Sequence, residues 1–319
     1  MKAPFGRKIF LLSILLVSAA LLSIIKGAVN IPLAELLSAA NRHILMLRLM
    51  RLLLAAVAGS GLAVSGIALQ AILRNPLAEP YLLGTSSGAG LGAVMAIILG
   101  VSGIYLPFAA FSGAILSIIA VYAISRQGNK IPIQSLILSG VIVSIALSGI
   151  VIFLITISSN EALHGLAWWL WGSLQVYDLK LIFMVSAAVI LGIIAIFVLA
   201  QDLNAISIGE EEALHLGINA ETIKKLLFVI TSMITASIVC ISGAIGFVGL
   251  IIPHIMRFVV GPNHKALIPA SCIAGAAFMI ICDVVSRTLF PPLEIPIGVI
   301  TALIGAPAFI ILLKQRQKI

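Results

Sequence analysis

The densest group of ionisable side chains in this chain is Glu210, Glu211 and Glu212, inside the segment GEEEALHLG (Gly209 to Gly217). Three adjacent carboxylates do not lie in hydrocarbon, and what they offer is charged recognition of a partner. Patterns that would mark an enzyme fail on context. Gly84-Thr85-Ser86-Ser87-Gly88 fits G-x-S-x-G, but that elbow needs a strand turning into a helix and a His and Asp as partners. Here it opens an apolar helix. There is no HExxH; His164, His215, His254 and His264 lack a metal-ligating neighbour at helical spacing, and His43 falls in a loop. Cys240, Cys272 and Cys282 sit in apolar runs without a CxxC and read as small buried hydrophobes. The absence of any Gly-Lys dipeptide removes the phosphate-cradling P-loop. The chain reads as non-catalytic, with no metal or cofactor of its own, and any energy must come from elsewhere.

The elements that must position these residues are set by composition. Of 319 residues, 61% are apolar and 9% charged, against about 25% charged in ordinary soluble domains, and mean hydropathy is +1.24. Uncharged runs recur at Ile9–Ile25, Leu52–Leu73, Pro80–Ser125, Ile131–Asn160, Leu181–Gln201, Leu226–Pro253, Lys265–Ser286 (apart from Asp283) and Ile295–Leu313. A spanning helix needs roughly 20 apolar residues, so the longest runs hold two helices each, broken near Gly100–Pro107 and near Gly243–Gly246. The expectation is an all-α integral membrane protein of about ten transmembrane helices, one domain over 1–319, with 202–220 as a polar segment between the sixth and seventh helices. The first run follows Lys2, Arg7 and Lys8 like a signal peptide, but its 17 uncharged residues exceed the usual h-region of about 7 to 15, which favours a retained helix.

With both termini inside, thirteen of the nineteen basic residues fall on the cytoplasmic side, as the positive-inside rule requires. The net charge of +8 then reports topology and contact with membrane lipid, not nucleic acid. Gly209–Gly217 lies on that side. Ser207 followed by Glu210 fits a capping box and Gly217 suits a left-handed helix end, so a short surface helix is expected, with Ala213, Leu214 and Leu216 as an apolar side for a partner; a plain solvated helix is the alternative. Two segments are too interrupted for ordinary spans: Asn75-Pro76-Leu77-Ala78-Glu79-Pro80 leads into a Gly-rich third helix and Gly243–Pro253 into a short eighth. They occupy matching places in halves of opposite orientation, helices 2–5 and 7–10, a pattern that points to a transport pathway. The fifth helix offers a solute little but Gln134, Ser135, Ser139, Ser144, Ser148 and Thr156. Trp168, Trp169 and Trp171 read as interface anchors, or as a stacking site for a flat ligand.

From Arg48 to Gly90 the sequence reads RLMRLLLAAVAGSGLAVSGIALQAILRNPLAEPYLLGTSSGAG, and this resembles the BtuC-like permease subunits of the FecCD and vitamin B12 type of ABC importer. The likeness resumes in WWLWGSL (Trp168–Leu174), GEEEALHLGI, GAIGFVGLIIPHIMR (Gly243–Arg257), DVVSR (Asp283–Arg287) and LEIPIGVITALIGAPAFIILL (Leu293–Leu313). It implies a permease for iron siderophores, haem or cobalamin in the cytoplasmic membrane, paired with a second copy of itself, two ATP-binding subunits that carry ATP and Mg, and an extracytoplasmic substrate-binding protein. It further implies that Gly209, Glu210, Glu211, Glu212, Ala213, Leu216 and Gly217 dock on the ATPase, and that Asn75 and Leu77 lie near a cytoplasmic closure. The fifth helix, with Gln134 and Ser135, and the tenth would line the passage. Arg48, Arg51 and Arg287 resemble the docking points for acids on the binding protein. Spacing of three puts Arg48 and Arg51 on one helix face; Met50 stands where the family usually has Pro, and Arg287 has Asp283 within i, i+4 as a local alternative. An ion-coupled secondary transporter is the competing reading, and a membrane scaffold a weaker one. The secondary-transporter reading expects an ionisable residue in mid-membrane, whereas Asp283 lies near the outer end of its span.

Overall fold

The computed structural model describes residues 4–29, 31–36, 38–128, 130–158 and 169–316. Ten principal helices follow one another: α1 Phe5–Ile25, α2 Arg42–Ile72, α3 Thr85–Ile98, α4 Tyr105–Ser125, α5 Ile133–Thr156, α6 Leu179–Val198, α7 Ala220–Ser242, α8 Val248–Val260, α9 His264–Thr288 and α10 Ile297–Arg316. Seven are long and apolar enough to cross a membrane, while α3, α8 and the Ile297–Ile310 stretch of α10 are shorter apolar helices. The expected breaks fall where glycine and proline placed them, between Ile98 and Tyr105 and between Ser242 and Val248. Among the described residues no β-strand is formed.

The central strut is α2. Its 31 residues run roughly 46 Å at 1.5 Å per residue, and from Leu54 to Ile72 nearly every side chain is buried. Lipid gives no hydrophobic drive between helices, so close backbone approach at small residues supplies the contact instead. Gly59 of α2 lies against Gly275 of α9, Gly66 against Gly249 of α8, Gly88 of α3 against Gly113 of α4, and Gly92 against Ala109. A methyl group at any of these glycines would run into the neighbour's backbone.

At 14 and 13 residues, α3 and α8 are about 20 Å long and fall short of the roughly 30 Å hydrocarbon layer. Both begin directly after a left-handed residue, Gly84 (φ 77°) and Phe247 (φ 69°). The two broken segments of the opposed halves thus use the same backbone device. Phenylalanine disfavours that conformation, and its side chain is held by packing against Gly305 of α10.

Candidate functional site: a charged knob, a broken-helix junction and an arginine cluster

At one end of α2 the chain between α6 and α7 folds into two short helices, Ala200–Ile208 and Glu210–His215, joined through Gly209. The second ends as the sequence predicts. Gly217 has φ 78°, Ile218 N–H donates to Ala213 O at 2.9 Å and Gly217 N–H to Leu214 O at 2.9 Å, the pairing of a Schellman end. Its start is not a capping box. Ser207 belongs to the preceding helix and its hydroxyl donates back to Leu203 O at 2.7 Å, while Gly209, with no side chain, stands at the cap position. Ala213 is also placed differently from the expectation. It is fully buried with Ala205, Ile206 and Ala220, because the two short helices must pack on each other, so only Leu214 and Leu216, each 69% exposed, form the outward apolar side.

The three acids divide their work. Glu211 and Glu212 are exposed, whereas one oxygen of Glu210, Oε1, accepts from Arg74 Nη2 at 2.9 Å and from Lys224 Nζ at 3.3 Å. Burial alone would raise the Glu210 pKa, but the Lys224 ammonium and the Arg74 guanidinium outweigh it and hold the carboxyl below its ordinary range. Lys224 reaches on to Glu221 Oε2 at 2.7 Å, and Glu221 Oε1 accepts from Ile131 N–H at 2.6 Å. From one carboxylate the network therefore runs two ways. One arm goes through Arg74 into the loop carrying Asn75 and Leu77, and the other through Lys224 and Glu221 to the start of α5. Gln134 is exposed on the first turn of α5, and the neighbouring Ser135 hydroxyl accepts from Gln127 Nε2 at 3.1 Å. Both stand at the knob end of α5 and not midway along it.

Arg74 takes φ 44° and ends α2, with Asn75 N–H returning to Gln70 O at 3.1 Å. Asn75 Oδ1 accepts from Leu77 N–H at 2.9 Å, a local turn that leaves the Leu77 side chain 45% exposed. The loop then ties the two broken segments together. Glu79 Oε1 accepts from Phe247 N–H at 2.6 Å and Tyr81 Oη from Ile245 N–H at 3.1 Å, so a carboxylate faces the start of α8, where the helix dipole favours negative charge. Gln70 holds the other side, donating from Nε2 to Ala78 O and Gly249 O and accepting from Arg257 Nη1 on Oε1. Sequence reasoning singled out both segments but missed Glu79, Tyr81 and Gln70 as their fasteners, and Lys224 as a partner of Glu210. The available signal was a lone acid and a lone amide in otherwise apolar surroundings.

At the other end of α2 the three arginines do not form one outward patch. Arg48 is 5% exposed and donates to Ile24 O, Ile25 O and Val29 O at 2.6 to 2.9 Å, which closes the open carbonyls at the end of α1. Arg287 is 3% exposed, donates to Ser23 O and Ser23 Oγ, and pairs with Asp283 at 3.2 Å. Arg48 and Arg287, expected to meet an external acid, have their guanidiniums engaged within the chain, and both line one cavity of about 220 Å³ together with Arg51 and Glu294. Arg51 pairs with Asp283 and, at 2.7 Å, with Glu294, and Glu294 also accepts from Gln175. Spacing of three leaves two side chains about 60° apart around a helix, enough here to send Arg48 to α1 and Arg51 to α9. Of the aromatic cluster, Trp169 packs on the core and Trp171 is 55% exposed, while Trp168, like His164, lies outside the described residues. Among the described residues no group of three His, Cys, Asp or Glu side chains is arranged to hold a metal ion.

Against known proteins, residues 14–315 match the family described as the FecCD transport family. The cobalamin import system permease of Halobacterium salinarum is 41% identical over 272 residues, covering 85% of this chain and 73% of that protein. The hemin transport system permease of Yersinia pestis is 35% identical over 323 residues, covering 96% and 95%. Among solved structures, an inward-facing ABC transporter assigned to the metal-chelate type is similar with a TM-score of 0.89 and 34% identity, covering 97% of this chain and 99% of that one.

Proposed function

Because the chain belongs to the FecCD transport family, we propose that it is the permease of a binding-protein-dependent importer that carries a metal chelate of the iron siderophore, haem or cobalamin class across the cytoplasmic membrane. The knob end faces the cytoplasm with both termini. Two separate ATP-binding subunits, which carry ATP and Mg, dock on Gly209–Gly217, and a substrate-binding protein delivers cargo at the arginine end. A second copy of the chain completes the passage.

The observation that carries this reading is the forked network at Glu210. A push on the exposed Leu214 and Leu216 moves a short helix whose first residue is bonded to the loop of Asn75 and Leu77 and, through Lys224 and Glu221, to α5. Motion of the ATPase is thereby delivered at once to both candidate walls of the passage. At the delivery end Arg51, with its side chain 14% exposed, is the most accessible of the three arginines, and an incoming acid would compete with Glu294 for it. Against an ion-coupled secondary transporter stand the two acids deepest in the bundle: Asp283 is taken up by Arg51 and Arg287, and Glu79 by a backbone amide.

The test is uptake by proteoliposomes holding the permease, its ATPase and its binding protein. Glu210→Lys sets a third cation against Arg74 and Lys224; we predict ATP hydrolysis without uptake while the complex still assembles. Uptake at the normal rate by this variant, or cargo movement by the permease alone on an ion gradient, would overturn the reading.

A further inference from the structure

We propose that a cavity at the knob end is a binding site for a phosphate group, specifically one that carries a P–OH proton. The cavity measures about 430 Å³ and lies between the end of α2, α8 and the start of α9. Its polar lining is Gln70, Arg74, Ser207, His254, Arg257 and His264. Among the described residues that line it there is no Asp or Glu, so the lining itself is cationic and neutral, with Glu210, bonded to Arg74, as the counter-charge behind it.

Arg257 and His264 are held in place. Arg257 is aimed by Gln70 Oε1, and Gln70 is itself anchored by Ala78 O and Gly249 O. Arg74 uses Nη2 on Glu210, and a guanidinium has five N–H donors. The most telling group is His264, which is 4% exposed and whose Nε2 is buried without a hydrogen-bond partner. Its other ring nitrogen is accounted for. Asn263 Oδ1 accepts from Lys265 N–H, so the Asn204 group facing it, 3.3 Å away, is the NH2. Asn204 therefore turns its carbonyl oxygen to His264, where it accepts from the backbone N–H at 2.9 Å and from Nδ1 at 2.7 Å. With the proton on Nδ1, Nε2 presents a lone pair, and an acceptor buried beside two guanidiniums calls for a ligand that brings both negative charge and a proton.

A hydrogen phosphate group supplies both, its charged oxygens to Arg257 and Arg74 and its P–OH to Nε2. Sulfate and carboxylate at neutral pH bring charge but no such proton, and a phosphodiester headgroup lacks it as well. The matching ligand is inorganic phosphate, which keeps a P–OH even as its dianion, or a phosphomonoester in its singly protonated form, populated near its second pKa of about 6, and its source is either soluble or the headgroup of phosphatidic acid.

Calorimetry on the transporter purified with its partner subunits tests this with inorganic phosphate, sulfate and acetate as probes, and nanodiscs containing phosphatidic acid or phosphatidylglycerol separate the lipid source from the soluble one. Phosphate is expected to bind roughly tenfold or more tightly than sulfate. Ser207→Glu, an exposed substitution at the mouth that gives up only the hydroxyl's bond to Leu203 O, should weaken it by a similar factor through repulsion. His264→Gln should erase the preference over sulfate. Equal binding of phosphate and sulfate, no binding of any probe, or phosphate affinity unaffected by Ser207→Glu would overturn the proposal; loss of chelate uptake in these variants would not be needed for it.

Discussion

The two ends of α2 carry the same motif in opposite settings. At each, one carboxylate stands between two cations: Glu210 between Arg74 and Lys224, and Asp283 between Arg51 and Arg287. The Glu210 side chain is 39% exposed and that of Asp283 is fully buried. An exposed pair is worth about 0 to 1 kcal/mol, since water and salt compete for both partners. A buried one has already lost its hydration, and removing a single partner strands charge at a cost of about 3 to 5 kcal/mol. The same chemistry thus makes a joint that can be remade at the knob and a fixed strut at the arginine end, where it fastens α1, α2 and α9 together.

The largest predicted effect follows from that contrast. Asp283→Ala leaves Arg51 with Glu294 alone and Arg287 with only Ser23, and the permease should lose about 3 to 5 kcal/mol of stability, read as a lower unfolding temperature in detergent and poor recovery from membranes. Glu210→Ala should cost about 1 kcal/mol or less, yet depress coupled uptake far more strongly. Equal destabilisation by the two substitutions would erase the distinction between strut and joint.

The junction of the broken helices is intermediate, being partly buried and joined by one charged hydrogen bond to a backbone amide. Glu79→Ala strands the Phe247 N–H, and a loss of about 1 to 3 kcal/mol is predicted. Glu79→Gln keeps an oxygen acceptor at Phe247 and gives up only the charge facing the α8 dipole, for which about 0.3 to 1 kcal/mol is expected. Thermal unfolding of both variants measures the split. A Gln variant as damaged as the Ala variant would show that the charge, and not the hydrogen bond, holds the junction.

How far the sequence revealed these regions depends on whether a feature is local. The ten helices, their breaks, the Gly217 cap and the glycine contacts of α3 follow from period, length and residue size within a few positions of each other. The partners of the charges do not. Arg51 meets Asp283 across 232 positions and Arg74 meets Glu210 across 136, and nothing near an arginine in sequence says which acid it will find. Ser207 was misread because a Ser three residues before a Glu also occurs where one helix ends and another begins; its hydroxyl then bonds backward. Ala213 was misread because its small side chain suits an outer face and a tight helix contact equally well.

The smallest predicted effect concerns proton concentration at the joint. Since Arg74 and Lys224 lower the Glu210 pKa in the folded protein, its pairing contributes fully above the ordinary glutamate value of about 4.3 and is lost only as pH falls through the still lower folded value. The ratio of coupled uptake by the native chain to that of Glu210→Gln isolates this group from every other titration in the assembly. Between pH 5 and pH 8, roughly one to four units above that ordinary value, the ratio should stay constant. A ratio that drifts toward one inside this window would mean that the carboxyl is being protonated near neutrality. In that event the two cations do not hold Glu210, and the joint is made through Glu211 or Glu212.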